Sequence, residues 1–204
     1  EFMLFYQPIV DLQSTRVVGA EALIRWAHPG MGMVSPLDFI PVAEETGLIV
    51  DIGEWVVSEA LRQLSRWHQD GHDDLWISVN VSARQLRDAS LVEHVESELR
   101  RLRVPPEKLM MEITETAIIS DPEHALANLQ MLADAGIPIA IDDYGAGLSS
   151  LAYLKQLPAT ELKIDRLFVR GLTSSHRDPL LIRSTIDLAH ALEMEVTAEG
   201  VENG

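Results

Sequence analysis

The run Pro138-Ile139-Ala140-Ile141-Asp142-Asp143-Tyr144-Gly145 joins a short apolar, β-branched stretch to two adjacent carboxylates and a glycine. Such a run reads as a buried strand that delivers negative charge to its C-terminal tip. Side chains alternate along a strand, so Asp142 and Asp143 are expected on opposite sides, one facing a central cavity and the other at its rim. Two carboxylates so placed suit one hard divalent cation, or two that share a ligand. An isolated Asp-Asp pair more often just caps the segment that follows. The metal reading gains weight because Glu21, Asn80, Glu112, Lys163 and Glu199 stand at comparable places in other strand-like segments.

The elements that must position these residues follow from periodicity. Residues 4–12 read as a first strand carrying Gln7 and Pro8, and residues 17–26 as a second; the opening Glu1-Phe2-Met3 is given no structural meaning. So short a connection allows only an antiparallel pair, because a parallel crossover needs a dozen or more residues. On the second strand Val18, Ala20, Ala22 and Ile24 share one face and Gly19, Glu21, Leu23 and Arg25 the other. After a His28–Gly32 loop, Ser35-Pro36 opens a short helix that stops near Gly47. A longer helix over 52–68 repeats Ile52, Val56, Ala60, Leu64 and Trp67 at helical spacing.

Further strands are expected at 76–82, 109–115, 138–143, 161–165 and 195–201. Ser90 is expected to cap the helix between the first two of these, with Leu91, Val95, Leu99 and Leu102 as its buried stripe. Asp121-Pro122 and Asp178-Pro179 repeat one device, an Asp N-cap with Pro at N1, and a short helix is expected over 149–156.

Strands alternating with helices from the second strand onward predict parallel β/α units. Each strand docks one apolar face on helices and ends the other in a polar group, and six such groups converge: Glu21, Asn80, Glu112, Asp142, Lys163 and Glu199. Convergence at one end describes the mouth of a barrel better than the crevice of an open sheet. The fold class is α/β, a TIM-like (β/α) barrel with an antiparallel first strand. It is expected to be incomplete at the C-terminus, with seven of eight strands, since a full barrel takes about 250 residues. An open sheet edge predicts a dimer.

The 204 residues are 47% hydrophobic and 24% charged, enough for one substantial core. A net charge of −16 disfavours nucleic-acid polymers and anionic membranes, so an anionic substrate would need local positive charge, which clustered carboxylates gain by holding metal ions. The absence of Cys excludes disulfides and thiolate metal sites. No run is long or apolar enough to span a bilayer, and no signal peptide is visible.

Six motifs in this order resemble the EAL-domain family. They are Glu21-Ala22-Leu23-Ile24-Arg25-Trp26, Ser78-Val79-Asn80-Val81-Ser82, Glu112-Ile113-Thr114-Glu115, Asp142-Asp143-Tyr144-Gly145, Leu162-Lys163-Ile164-Asp165 and Ala198-Glu199-Gly200-Val201-Glu202. The resemblance implies a bacterial phosphodiesterase that opens cyclic di-GMP to linear pGpG; the alternative is a catalytically silent cyclic di-GMP receptor. Residues 1–204 would be one EAL-type domain lacking the last helix-strand-helix. Glu21, Asn80, Glu112 and Asp142 would bind a first Mg²⁺ or Mn²⁺, and Asp142 would bridge to a second held by Asp143. Lys163 would hydrogen-bond the attacking water and the phosphate, and Glu199 would be the general base; from sequence, Lys163 could equally be an ion-pair partner of Glu199 or Asp142.

By the same resemblance Leu23 and Arg25 would meet the ribose-phosphate ring, Gln7 and Asp165 would line the guanine and phosphate side, and Glu115 would tether the loop from Asp143 to Ser150. That loop departs from the family pattern, with Ala146 where Thr is usual and Leu148 where an aromatic is usual, and the family's final Gln-Gly-aromatic motif is absent. The resemblance also implies fused sensory or GGDEF-type domains, a homodimer, and a cytoplasmic location, either free or as the cytoplasmic part of a membrane-anchored protein.

Overall fold

Apolar residues at every second position select extended chain at β1 Phe2–Val10, β2 Val17–His28, β3 Gly32–Val34, β4 Trp76–Val81, β5 Leu109–Thr114, β6 Ile139–Tyr144, β7 Glu161–Ile164 and β8 Glu195–Ala198. The computed structural model describes residues 1–119, 121–144, 154–171 and 178–201. The strands form one sheet in the order β1-β2-β4-β5-β6-β7-β8, with β3 paired to β2. β1 and β2 are antiparallel, and every later pair along that path is parallel. The sheet curls into an incomplete TIM-like barrel.

The helices are α1 Pro36–Thr46, α2 Ile49–Gln69, α3 Ala83–Leu86, α4 Ser90–Leu102, α5 Glu115–Ile119, α6 Pro122–Asp134, α7 Arg166–Gly171 and α8 Asp178–Ala191. Their stripes share one core with the strands: Val56, Ala60 and Leu64 of α2, Val95 and Leu99 of α4, and Leu129 and Leu132 of α6 are buried with Ile77, Val79, Met111, Ile113, Ile139 and Leu162. The opposite strand face carries Glu21, Ser78, Glu112, Asp142 and Lys163. At its lower end Gly19 faces Trp76, and a Cβ on Gly19 would lie 2.6 Å from the indole, so glycine is what lets that ring fill the barrel floor.

Several local expectations change. The N-terminal triplet is structural: Phe2 belongs to β1 and packs against Trp26, Phe39 and Trp55, and the Glu1 carboxylate accepts the Trp26 indole N–H at 3.0 Å. The segment after His28 returns as β3, which pairs His28 with Gly32. Ser90 is the first residue of α4 rather than its cap; the Asp88 carboxylate upstream accepts from the Ser90 amide at 2.9 Å and its hydroxyl at 2.7 Å.

Ser82 is not strand but the N-cap of α3, in a reciprocal capping box with Gln85. Asp121 occupies the N-cap position of α6 without a side-chain cap bond and pairs with His124 instead. Ser35 does cap α1, accepting from the Leu37 amide, and Gly47 closes it in the left-handed conformation (φ 89°). The side chain of Asp178 and most of the expected 149–156 helix lie outside the described residues.

Candidate functional site

Parallel strands carry the six polar residues toward the same end of the sheet in a staggered register. Glu21 pairs with Ser78, Asn80 with Glu112, Thr114 with Asp142 and Lys163 with Thr197, while the Glu199 amide extends the ladder by donating to the Ile164 carbonyl at 3.1 Å. At the centre lies the Lys163 ammonium. Its Nζ is 2.7 Å from Glu112 Oε2, 2.7 Å from Glu199 Oε1, 3.5 Å from Glu21 Oε2 and 3.5 Å from Asp142 Oδ1. Asn80 Nδ2 donates to Glu21 Oε1 at 2.8 Å, which leaves the amide oxygen as the atom a hard cation would use. The structure therefore brings together all six residues that the strand pattern singles out.

Asp142 and Asp143 do not separate as strand alternation predicts. Asp143 has a φ of 54°, in the left-handed region that Asp tolerates better than most residues, and the β6–β7 register shifts between Ile141 and Tyr144. The kink turns the second carboxylate back toward the first. Asp142, Asp143 and Glu199 each offer an oxygen within 4.8 Å of the others, close enough for one ion. Asp142 is buried and Asp143 exposed, so the two still differ in depth.

Burial dominates the electrostatics. It pushes the Glu112 carboxyl up to about 8, opposed by Lys163 and assisted by Glu21. Partial desolvation of its carboxyl and the neighbouring Asp142 push Asp143, exposed as a residue, up to about 6. Glu199 is also raised by burial, against the pull of Lys163. For Lys163 burial alone would lower the value, but Glu112, Asp142, Glu21 and Glu199 outweigh it and hold the ammonium charged. Glu112 Oε1 is buried and meets no hydrogen-bond partner among the described residues. An orphaned carboxylate oxygen within an all-oxygen donor set fits a hard divalent cation.

A pH dependence follows. A metal takes these carboxylates deprotonated, whereas Glu112 and Asp143 hold protons up to about 8 and about 6. Mn²⁺ affinity measured by calorimetry is expected to rise steadily from pH 5.5 to 8.5, with proton release that shrinks as the pH passes those values. Affinity independent of pH over this range would count against Glu112 as a ligand.

The other expected site residues are placed unevenly. Leu23 and Arg25 line a cavity of about 450 Å³ together with Pro36, Ile40, Asn80 and Thr114. The Arg25 guanidinium lies 5.5 Å from the Phe5 ring centroid and donates to the Ile24 carbonyl. Gln7 is exposed and pairs with Glu21 across β1 and β2. Asp165 is buried, accepts from the Leu167 amide at 2.7 Å at the start of α7, and adds to the negative field on Asp143. Glu115 is buried at the start of α5 with neither carboxylate oxygen hydrogen-bonded among the described residues. Of the loop it was expected to tether, Asp143 to Ser150, residues 145–150 lie outside the described residues, as does Glu202.

Two neighbours of this set were not singled out from the sequence. Phe5 lies two positions from Gln7, under Arg25, and buried Glu161 lies two positions before Lys163. The period of two that exposed Glu21 and Glu112 marks both.

Comparison with known proteins supplies the wider setting. The family profile described as "EAL domain" matches residues 1–204. A bifunctional diguanylate cyclase/cyclic di-GMP phosphodiesterase, MucR of Pseudomonas aeruginosa, is 45% identical over 202 residues, 99% of this chain and 30% of that protein. The cyclic di-GMP phosphodiesterase NbdA of the same organism is 40% identical over 199 residues, 98% of this chain and 25% of that protein. The chain thus spans about a quarter to a third of the length of these curated relatives. A solved PaMucR phosphodiesterase in complex with c-di-GMP superposes with a TM-score of 0.93 at 44% identity, covering 99% of this chain and 82% of that one.

Proposed function

This chain belongs to the EAL-domain family, and from that premise we propose that it hydrolyses cyclic di-GMP to linear pGpG in bacterial second-messenger signalling, with Mg²⁺ or Mn²⁺ as cofactor. The observation that carries the reading is the meeting of Glu21, Glu112, Asp142 and Glu199 around Lys163 Nζ, with Asn80 bonded to Glu21. In this reading Glu21, Asn80, Glu112 and Asp142 hold one cation, and Asp142 with Asp143 a second. Bound ions would supply acidification of water and charge neutralisation at the phosphate.

The remaining work falls to the chain's own side chains. The cavity beside Leu23 and Arg25 takes part of the dinucleotide, and the Arg25 fork turns from its own backbone to a phosphate. Lys163 donates to a phosphoryl oxygen. Glu199, whose carboxyl burial raises against the pull of Lys163, accepts the proton of the attacking water. Water adds at phosphorus, one P–O ester bond breaks, and its oxygen leaves, taking a proton from solvent to become the free hydroxyl of pGpG. Gln7 and Asp165 border the nucleotide, and Glu115 anchors the segment after Asp143.

Residues 1–204 act as one domain in this reading, within a longer cytoplasmic signalling protein that forms homodimers. The bifunctional relative, of which the chain matches 30%, supports fused cyclase-type or sensory domains. No helix among the described residues is long and apolar enough to cross a membrane.

Incubation of the purified protein with Mg²⁺ or Mn²⁺ and cyclic di-GMP, followed by chromatography and mass analysis, is expected to give one product heavier by one water. Intact dinucleotide in the presence of demonstrated metal and dinucleotide binding would overturn the hydrolytic reading.

A further inference from the structure

Lys163 stands apart from the other site residues because, among the described residues, it is the one cation set between four carboxylates, most of them read above as metal ligands. Its side chain is 2% exposed, and it crosses from β7 to meet Glu112 of β5 and Glu199 after β8 at 2.7 Å each, with Glu21 of β2 and Asp142 of β6 at 3.5 Å. Three of those four residues are proposed metal ligands. A substrate-binding lysine would need only to reach the phosphate, whereas this ammonium is spent on the ligands themselves.

From this arrangement we propose that Lys163 is a built-in counter-ion: its ammonium sits at the centre of the carboxylate cluster and withdraws when divalent cations enter, so that metal loading is a cation exchange. The inference rests on the reading of Glu21, Glu112 and Asp142 as metal ligands.

The physical reasoning is direct. Carboxyl groups this close, without a cation between them, repel strongly once ionised at low local dielectric, and a protein folded ahead of metal uptake must offset that repulsion. The ammonium is compact, carries three donors and rides on a flexible four-carbon stem, so it can fill such a position and leave it again; an arginine fork could not leave so easily. The hydrogen bonds are already uneven: Glu112 Oε2 is held by Lys163, while its Oε1 has no partner among the described residues. Half of that carboxylate is committed to the lysine and half is ready for an ion. Once withdrawn, the same ammonium lies beside the cluster, where a scissile phosphate would be held. The exchange thereby couples metal loading to the freeing of the lysine for substrate.

Three measurements test this. Mn²⁺ titration of the wild type and Lys163→Met, by calorimetry and by the free-ion paramagnetic resonance signal, is expected to show at least about tenfold tighter binding in the variant, since the wild type must first empty its site. The metal-free variant is expected to melt below the wild type and to regain that loss on Mn²⁺ addition. In the wild type, ¹⁵N-detected lysine ammonium resonances should include one slowly exchanging signal, absent in Lys163→Met, that shifts or broadens on saturation with Mg²⁺. Equal or weaker Mn²⁺ binding by the variant overturns the proposal. So does an ammonium signal unmoved by Mg²⁺, even if affinity rises, because removal of a nearby charge alone would then account for the gain. This wild-type measurement also stands if Lys163→Met does not fold without metal. A wild type that binds no Mn²⁺ at all overturns the metal reading and this inference with it, whereas metal-dependent hydrolysis with an unmoved lysine overturns only the exchange.

Discussion

Glu112→Gln is expected to lower cyclic di-GMP turnover by about 10³-fold or more, because several kcal/mol of metal-assisted charge stabilisation would be lost. The same substitution is expected to leave the metal-free protein at least as stable at neutral pH. Glu112 is almost completely buried, and burial pushes its carboxyl up to about 8 from an ordinary 4.5. A carboxyl raised on folding contributes stability that is fully present below about 4.5 and is lost as the pH climbs through about 8. Within that window the unfolded chain has released a proton that the folded chain still holds.

The contribution falls by about 1.4 kcal/mol per pH unit, and each kcal/mol moves the melting point of a domain this size by about 2–4 °C. Metal-free wild type should therefore melt progressively lower from pH 5 to pH 8, and Glu112→Gln should lose the share of that slope that Glu112 carries, leaving what the raised Asp143, Glu161 and Glu199 carboxyls contribute. The Asp11, Asp88 and Asp121 carboxyls, held low by local hydrogen bonds, act in the opposite sense only below this window. The variant keeps an amide oxygen for Lys163, and Glu199 remains at 2.7 Å, so the lysine is not abandoned. Scanning calorimetry without metal across that pH range decides the matter. Identical slopes in the two proteins would show that Glu112 is ionised when buried and that Lys163 overrides its desolvation.

The two outcomes also mark what a sequence makes legible. Glu21, Asn80, Glu112, Asp142 and Lys163 could be assembled on paper because each sits on the face opposite a buried apolar set, and parallel register then does the rest. Period two is a local property, readable one strand at a time. Asp143 broke the rule because its left-handed backbone reverses the alternation, and no residue type at that position announces a positive φ in a non-glycine. Phe2 escaped notice for a different reason. Its partners Trp26, Phe39 and Trp55 come from β2, α1 and α2, so its role exists only once the fold does. The capping exchange between Ser90 and Asp88 is a shift of two residues, finer than pattern reading resolves. The fourfold grip on Lys163 was visible in sequence only as an option, an ion pair with Glu199 or Asp142; distances were needed to show that it meets both, and Glu112 and Glu21 as well.

Glu199→Gln is the second substitution with a large expected effect, and it separates two roles that geometry allows for one carboxylate. Glu199 Oε1 accepts from Lys163 at 2.7 Å, while the carboxylate also lies within the 4.8 Å group formed with Asp142 and Asp143. As a base it must take a proton in the transition state, and its loss is expected to lower kcat by about 10²–10⁴-fold with little change in metal affinity. As a ligand it would be missed first in binding, with one Mn²⁺ lost from the titration before chemistry is considered. The base role is favoured because Glu199 follows the end of β8, is only part-buried, and is raised by that burial toward the pH at which it would work. Asp142 and Asp143 face each other without it. The expected result for Glu199→Gln is therefore unchanged Mn²⁺ stoichiometry, unchanged or tighter cyclic di-GMP binding, and a pH–rate profile that has lost its acidic limb. A variant that binds one ion fewer would make Glu199 a ligand, and the proton acceptor would then have to be sought among Asp143 and Asp165, whose carboxyls lie close enough to influence each other.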